Sequence, residues 1–277
     1  DKELKEATTG TVQDGSLVYE LDGKTYRTPI RTLRGDYRDA DGNTVNRLRR
    51  WDKHDFKPRP DDIFQERLYA IQWIKKETLD KSRPETFFAS VTEADLERER
   101  KIEQIVEENL TVWQQDGLVP DMAIEPGYNT DQPIRERGWT YWHHLFTPRD
   151  LLTLSLLRQE IKSPELTPEL CGTLDFCSKL SRWIIRFSSG GGSDFTSNVF
   201  SNQALNTLFN WANRSFFDHE FVQSYQNFPI TTDTQVYSSS SEEIVTDQDI
   251  FITDPPYADA IHYHEITEFF IAWLRKN

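Results

Sequence analysis

The sequence predicts an α/β chain with a mainly helical body, a small N-terminal β unit and one strand of an open sheet near the C-terminus. Two Asp-Gly pairs punctuate short alternating segments within residues 10–33, as in β-hairpins. Apolar residues then recur at three- and four-residue steps, and the apolar run 250–253 ends at consecutive prolines. We therefore divide the chain into a β unit with a basic arm (1–60), a helical region (61–228) and a sheet segment (229–277).

The N-terminal unit is predicted from its turns. Asp14-Gly15 and Asp22-Gly23 separate segments rich in Thr, Val and Tyr, so short antiparallel strands are expected. Residues 34–60 are rich in Arg and Asp and should form a loop or extended arm. The net charge of −14 argues against a simple nucleic-acid binder, but residues 24–59 carry eleven Lys or Arg against five Asp. This arm is either a phosphate-binding region or a solvated loop.

The helical body is predicted from periodicity and from helix-start signals. Thr92 and Asp95 form a capping-box pattern, as do Thr147 and Asp150, where Pro148 occupies the first helical position. Residues 117–138 read as a loop. The predicted helices cover 61–76, 92–115, 147–161, 168–187, 201–213 and 266–274.

Composition excludes several classes of protein. No run of 18 apolar residues is present and 28% of residues are charged, so we expect a soluble cytoplasmic protein with no membrane partner. Cys171 and Cys177 are six residues apart, which fits neither a helical neighbour pair nor a Cys-x-x-Cys metal motif. Both are expected to be reduced. The acidic opening and the helical pattern that runs to the last residues suggest a piece of a longer protein.

The stretch that suggests chemistry is Asp254-Pro255-Pro256-Tyr257, directly after the apolar run 250–253. Proline removes a backbone donor and ends a buried strand, which would present Asp254 at the carboxyl edge of a sheet. Open α/β folds bind ligands at that edge. The alternative is a strand-terminating turn without chemistry. A chance match to such a motif is expected in roughly 1 in 100 chains of this length.

These four residues resemble the catalytic motif of S-adenosylmethionine-dependent amino-methyltransferases. The resemblance implies that the Asp254 side chain and the Pro255 carbonyl accept the N–H groups of adenine N6, and that Tyr257 stacks on the extruded base. It also implies a partial Rossmann-like methyltransferase sheet, with S-adenosyl-L-methionine as the cofactor and DNA as the partner. Pro256 completes the motif.

A longer part of the chain, roughly 60–277, resembles bacterial adenine-specific DNA methylases that carry a zinc-ribbon-like insertion. The matching stretches are 138–152, 200–216 and, most clearly, 253–274. Residues 10–33 hold no cysteine, so the β unit would be a metal-free remnant of the ribbon. The family's glycine-rich cofactor motif is absent and lies upstream in that family. The chain would then supply the base pocket of an enzyme of DNA modification or phage defence, together with other subunits.

Three further sites are weighed in the sequence. Thr147 and Pro148 resemble the helix start that lies at the methionine end of the cofactor in other adenine methylases, although a well-capped structural helix explains them equally. The triple glycine 190–192 is expected to be a flexible connection. His262, His264 and Glu265 are expected to pack or to line the base pocket, so no metal is predicted. The rival function is a non-catalytic nucleic-acid-binding or partner-docking module that retains the motif.

Overall fold

The computed structural model describes residues 12–81, 84–161, 167–181, 183–188, 191–200, 239–244, 249–250, 252–253 and 262–275. Within these ranges the chain is mixed α/β, as predicted, with α-helices and four small antiparallel sheets. All four sheets are antiparallel, so the described ranges contain no Rossmann-like sheet. No helix in the described part of the chain is long and apolar enough to cross a bilayer.

The N-terminal β unit is confirmed. It contains β1 (Val12–Gln13), β2 (Ser16–Leu21) and β3 (Lys24–Pro29) in an antiparallel meander, followed by the short helix α1 (Ile30–Arg34). Asp14 and Gly15, like Asp22 and Gly23, have positive φ, between 47° and 72°. Two-residue hairpin turns of the primed type require this conformation at both positions. The arm that follows is mostly loop and holds one small hairpin, β4 (Tyr37–Arg38) with β5 (Thr44–Val45).

The helix predicted over 61–76 is wrong. Residues 61–69 form no helix, and β6 (Ala70–Ile74) pairs antiparallel with β7 (Thr86–Ser90) from Ala70 opposite Ser90 to Ile74 opposite Thr86. Ile71 and Trp73 alternate with Ala70 and Gln72, which suits the two-residue period of a strand. The partner strand supplies Phe87 directly opposite Trp73, and such cross-strand aromatic pairs stabilise a sheet.

The two capped helices are confirmed. Helix α2 (Glu93–Gln115) begins at Thr92, and α4 (Pro148–Glu160) begins at Thr147, each with a complete capping box. Helix α3 (Asp131–Arg137) lies inside the stretch predicted to be loop and ends at Gly138, whose φ of 78° is left-handed. This helix is only seven residues long, so it holds too few apolar positions to show a helical period.

The helix predicted over 168–187 is partly wrong. Helix α5 (Thr167–Cys177) ends ten residues early, and the chain returns as the hairpin β8 (Trp183–Ser188) and β9 (Gly191–Thr196). The β-branched pair Ile184-Ile185 favours a strand over a helix. Gly191 and Gly192 therefore belong to a hairpin strand and do not precede a helix. The helix predicted over 201–213 lies outside the described residues.

The buried strand predicted over 250–253 is not observed in the residues that the structure describes there. Asp249, Ile250, Ile252 and Thr253 are outside any strand, and Ile250 and Ile252 are 77% and 94% exposed. The helix predicted over 266–274 is confirmed as α6 (Tyr263–Leu274). The apolar face of α6 thus supplies the burial in this part of the chain.

Among the described residues, one hydrophobic core joins α2, α4, α5 and α6 with the segment 139–146 and the end of the arm. Its largest members are aromatic: Trp51, Phe56, Trp113, Trp139, Trp142, Phe146, Phe200, Phe269 and Trp273. Cys177 is buried and Cys171 is half-buried, and no disulfide joins them.

Candidate functional site

The motif Asp254-Pro255-Pro256-Tyr257 lies outside the described residues. Its predicted roles therefore stay predictions. The structure does describe α6, which begins at Tyr263, six residues after Tyr257. Helix α6 and its contacts hold the described part of the chain that follows the motif.

Helix α6 is held by aromatic packing. The ring of Phe269 stacks on Phe146 with centroids 5.6 Å apart, and Trp273 meets Phe146 edge-on at 5.0 Å. Trp142 meets Phe269 edge-on, with ring centroids 6.0 Å apart. Phe269 and Trp273 are at most 1% exposed, so this contact is a true core. The helix after the motif is therefore a rigid support and is not a surface appendage.

Glu265 ties the first turn of α6 to a distant loop. Its carboxylate accepts the backbone N–H of Tyr128 at 2.8 Å and that of Asn129 at 2.6 Å. A Cβ at Gly127 would collide with this carboxylate, so a larger residue there would require the Glu265 side chain to move. Burial works against ionisation, but the two backbone donors outweigh it and hold the pKa of Glu265 below its usual value. The carboxylate is a fixed negative charge.

Two histidines gather around this carboxylate. His262 stacks on Tyr128 with ring centroids 5.0 Å apart and planes at 21°. His262 Nδ1 lies 4.0 Å and His264 Nε2 lies 3.8 Å from Oε1 of Glu265. One potential ligand atom from each of the three residues falls within 4.8 Å of the other two. The packing role expected from the sequence holds for His262 and Glu265, while His264 is 78% exposed.

Thr147 and Pro148 form the start of α4. The Thr147 N–H and hydroxyl donate to Oδ2 of Asp150 at 3.0 and 2.7 Å, and Thr147 Oγ1 accepts the Asp150 N–H at 3.3 Å. Burial raises the pKa of Asp150 to about 7, against the bonds from Thr147 that favour the carboxylate. Thr147 is thus engaged in capping, and Pro148 has no N–H to offer. Contact with a cofactor stays a prediction.

A buried polar cluster lies beneath this region, and sequence reasoning missed it. Lys179 is completely buried, and its Nζ lies 2.6 Å from Oε1 of Glu66. The same atom lies 5.2 Å from the ring centroid of Trp51 and 5.0 Å from that of Trp139. Its backbone N–H donates to Leu145 O at 2.7 Å. Nothing in the local sequence marks a lysine as buried, because its partners are remote along the chain.

His143 and His144 belong to the same cluster. Their Nε2 atoms lie 3.1 Å from Asp55 O and 2.9 Å from Asp52 O. Burial lowers the pKa of His143 to about 4 and that of His144 well below its usual value. Both imidazoles are therefore neutral at pH 7, and they join the basic arm to the core through its backbone.

The basic arm is partly paired with carboxylates of the same chain, and phosphate binding by it stays a prediction. Four cations between residues 49 and 59 form these ion pairs. Arg49 pairs with Asp55 and Asp62, Arg59 with Asp52 and Asp55, Lys53 with Asp121, and Lys57 with Glu103. These pairs neutralise part of the arm's positive charge and join the arm to Asp121 and Glu103 elsewhere in the chain.

Comparison of the chain with known protein families, with curated proteins and with solved structures finds no match. The functional argument therefore rests on the residues themselves.

Proposed function

We propose that this chain supplies the target-base pocket of an S-adenosylmethionine-dependent methyltransferase that acts on the N6 amine of adenine in DNA. The observation that carries the proposal is the sequence Asp254-Pro255-Pro256-Tyr257, followed closely by an amphipathic helix. The aromatic anchoring of that helix supports it, since a catalytic motif requires a rigid neighbouring element.

The residue types of the motif suit the chemistry. The lone pair of an exocyclic adenine amine is delocalised into the ring, which makes the amine a weak nucleophile. Two acceptors aimed at its N–H groups, the Asp254 carboxylate and the Pro255 carbonyl, would draw that lone pair out of conjugation. Pro256 restricts the backbone at this point. Tyr257 would replace the stacking that the base loses on leaving the duplex.

S-adenosylmethionine supplies the electrophilic methyl group in this reaction. The start of α4 is a poor fit for its carboxylate, because the Thr147 N–H and hydroxyl already bond to Asp150. No Asp-Pro-Phe-x-Gly-x-Gly segment occurs in the 277 residues. We therefore assign the cofactor mainly to residues outside this chain. Calorimetry with the chain alone should give weak or no binding, and micromolar binding would overturn this division of roles.

Single-turnover methylation by the intact enzyme tests the roles of the motif. Asp254→Ala should lower the rate by about 10²-fold or more with DNA binding nearly unchanged, because the bond is made mainly in the transition state. Asp254→Asn should be milder, since an amide oxygen still accepts. Tyr257→Ala should weaken capture of the base by roughly 1–3 kcal/mol, and Tyr257→Phe should be tolerated. An unchanged rate for Asp254→Ala would leave only a turn residue.

The rival proposal is a non-catalytic module that binds nucleic acid or a partner protein. The ion pairs of the basic arm give it no special support, because Arg49, Lys53, Lys57 and Arg59 already contact carboxylates of the chain. Digestion of cellular DNA with methylation-sensitive enzymes separates the two. Cells that express the intact protein should show protected sites, and cells that express Asp254→Ala should not.

A further inference from the structure

We propose that His262, His264 and Glu265 bind a divalent transition-metal ion of the Zn²⁺, Co²⁺ and Ni²⁺ group. The three ligand atoms already lie within 4.8 Å of one another. Metal–ligand bonds of about 2.0–2.1 Å in a tetrahedral site place ligand atoms roughly 3.3 Å apart. The distances of 3.8 and 4.0 Å to Glu265 Oε1 therefore need only small side-chain rotations to close around an ion.

The helix start makes this convergence possible. Residues two apart in a regular helix point in different directions, so a His-x-His pair within the helix would not bind the same metal ion. His262 is the residue before α6, and its ψ of 70° is not helical. Its ring can therefore fold back over the first turn, where Glu265 lies. His264 is exposed, and its ring can rotate toward the same point at little cost in packing.

The carboxylate is prepared for this role by the loop that holds it. The Tyr128 N–H bonds to Oε1 and the Asn129 N–H to Oε2, and the Asn129 side chain adds a further hydrogen bond, so the loop fixes the orientation of the carboxylate. Outer hydrogen bonds of this kind orient ligands in metalloproteins. Stacking on Tyr128 orients the His262 ring in the same way.

The ligand set defines the class of ion. Two imidazole nitrogens and one carboxylate oxygen suit borderline metals, whereas Mg²⁺ and Ca²⁺ require oxygen ligands in larger number. Three protein ligands leave a fourth position for water. A bound ion would fix the first turn of α6 and, through Glu265, the loop at 127–129. The proposal does not depend on methyltransferase activity, because metal binding is measured directly.

The experiment is a titration of the metal-free 277-residue protein with Co²⁺, followed by its visible absorption. We expect one ion per chain with a Kd of about 10 μM or tighter, displaced by Zn²⁺ and unaffected by Mg²⁺. His264→Ala should weaken binding by at least about 10-fold without loss of folding, because this side chain is exposed. His54→Ala is the matched control, since it removes another exposed histidine, and should leave binding unchanged.

Gly127→Ala tests the same site from the loop side. It keeps the three ligand residues unchanged in sequence but forces the Glu265 carboxylate away from its two backbone donors. Binding should weaken by about 10-fold or more. The proposal is overturned if the wild-type protein binds no stoichiometric Co²⁺. It is also overturned if the wild-type protein, His262→Ala and His264→Ala bind Co²⁺ with the same affinity.

Discussion

Lys179 places a positive charge in the hydrophobic core, and the stability of the folded protein depends on its ion pair with Glu66. The ammonium is completely buried, while the Glu66 side chain keeps 19% of its exposure. Removal of a lysine from water costs several kcal/mol, which the ion pair and two aromatic faces offset. Contacts with the rings of Trp51 and Trp139 contribute about 0.5–2 kcal/mol each.

Glu66→Gln is the informative perturbation. It removes the carboxylate that pairs with the buried ammonium, so the free energy of unfolding should fall by about 3 kcal/mol, the lower end of the range for a broken buried pair. Lys179→Met should cost less, about 1–2 kcal/mol, because the remaining Glu66 carboxylate can turn toward water. The double variant should cost less than the sum of the two single changes, with a coupling of at least about 1 kcal/mol.

Urea unfolding followed by tryptophan fluorescence measures these differences. Glu85→Gln is the control, because Glu85 pairs with Lys75 and Lys81 but all three side chains are at least half exposed. It should cost less than about 0.5 kcal/mol. If Glu66→Gln costs no more than Glu85→Gln, or if the effects at positions 66 and 179 simply add, the ion pair does not hold the lysine in the core.

Two further predictions concern single positions. Gly138→Ala should lower the free energy of unfolding by about 2 kcal/mol or more in the same urea assay, because the φ of Gly138 is 78° and a Cβ would collide with Arg49 O. Gly172→Ala is the contrast, since Gly172 lies inside α5 with open space around it, and this change should raise the free energy of unfolding by about 0.5–1 kcal/mol. Asp150 has a folded-state pKa of about 7, above its unfolded value, so the folded chain holds an extra proton between about pH 4 and 7. Stability of the wild type relative to Asp150→Asn should therefore fall as pH rises through that window, by up to about 1 kcal/mol per pH unit; equal slopes in thermal melts of both proteins would contradict the raised pKa.

The features predicted correctly from the sequence are those set by short stretches of chain. A capping box needs only Thr147 and Asp150, and a primed hairpin turn needs only Asp22 and Gly23. The helix prediction fails at 70–74 because the apolar residues there fit both the helical and the strand period. Pairing with the strand at 86–90 determines that this segment is a strand.

The unpredicted parts of the candidate site depend on residues far apart in the chain. Lys53 finds Asp121 across 68 residues, and Lys57 finds Glu103 across 46. A count of charges along the arm cannot reveal such pairing, because sequence reasoning treats each cation as exposed unless its partner is known. The Glu265 contact with the loop at 127–129 is of the same kind, with 136 or 137 residues between the partners.

That contact has a consequence for folding during synthesis. Phe146 and the 127–129 loop leave the ribosome well before α6, roughly 6–27 s earlier at common elongation rates. During this interval Trp142 and Phe146 lack the aromatic face that later covers them. The nascent chain therefore exposes an apolar surface, and its core closes only in a late step of high contact order. Chaperone dependence and aggregation of the chain should be governed by that step.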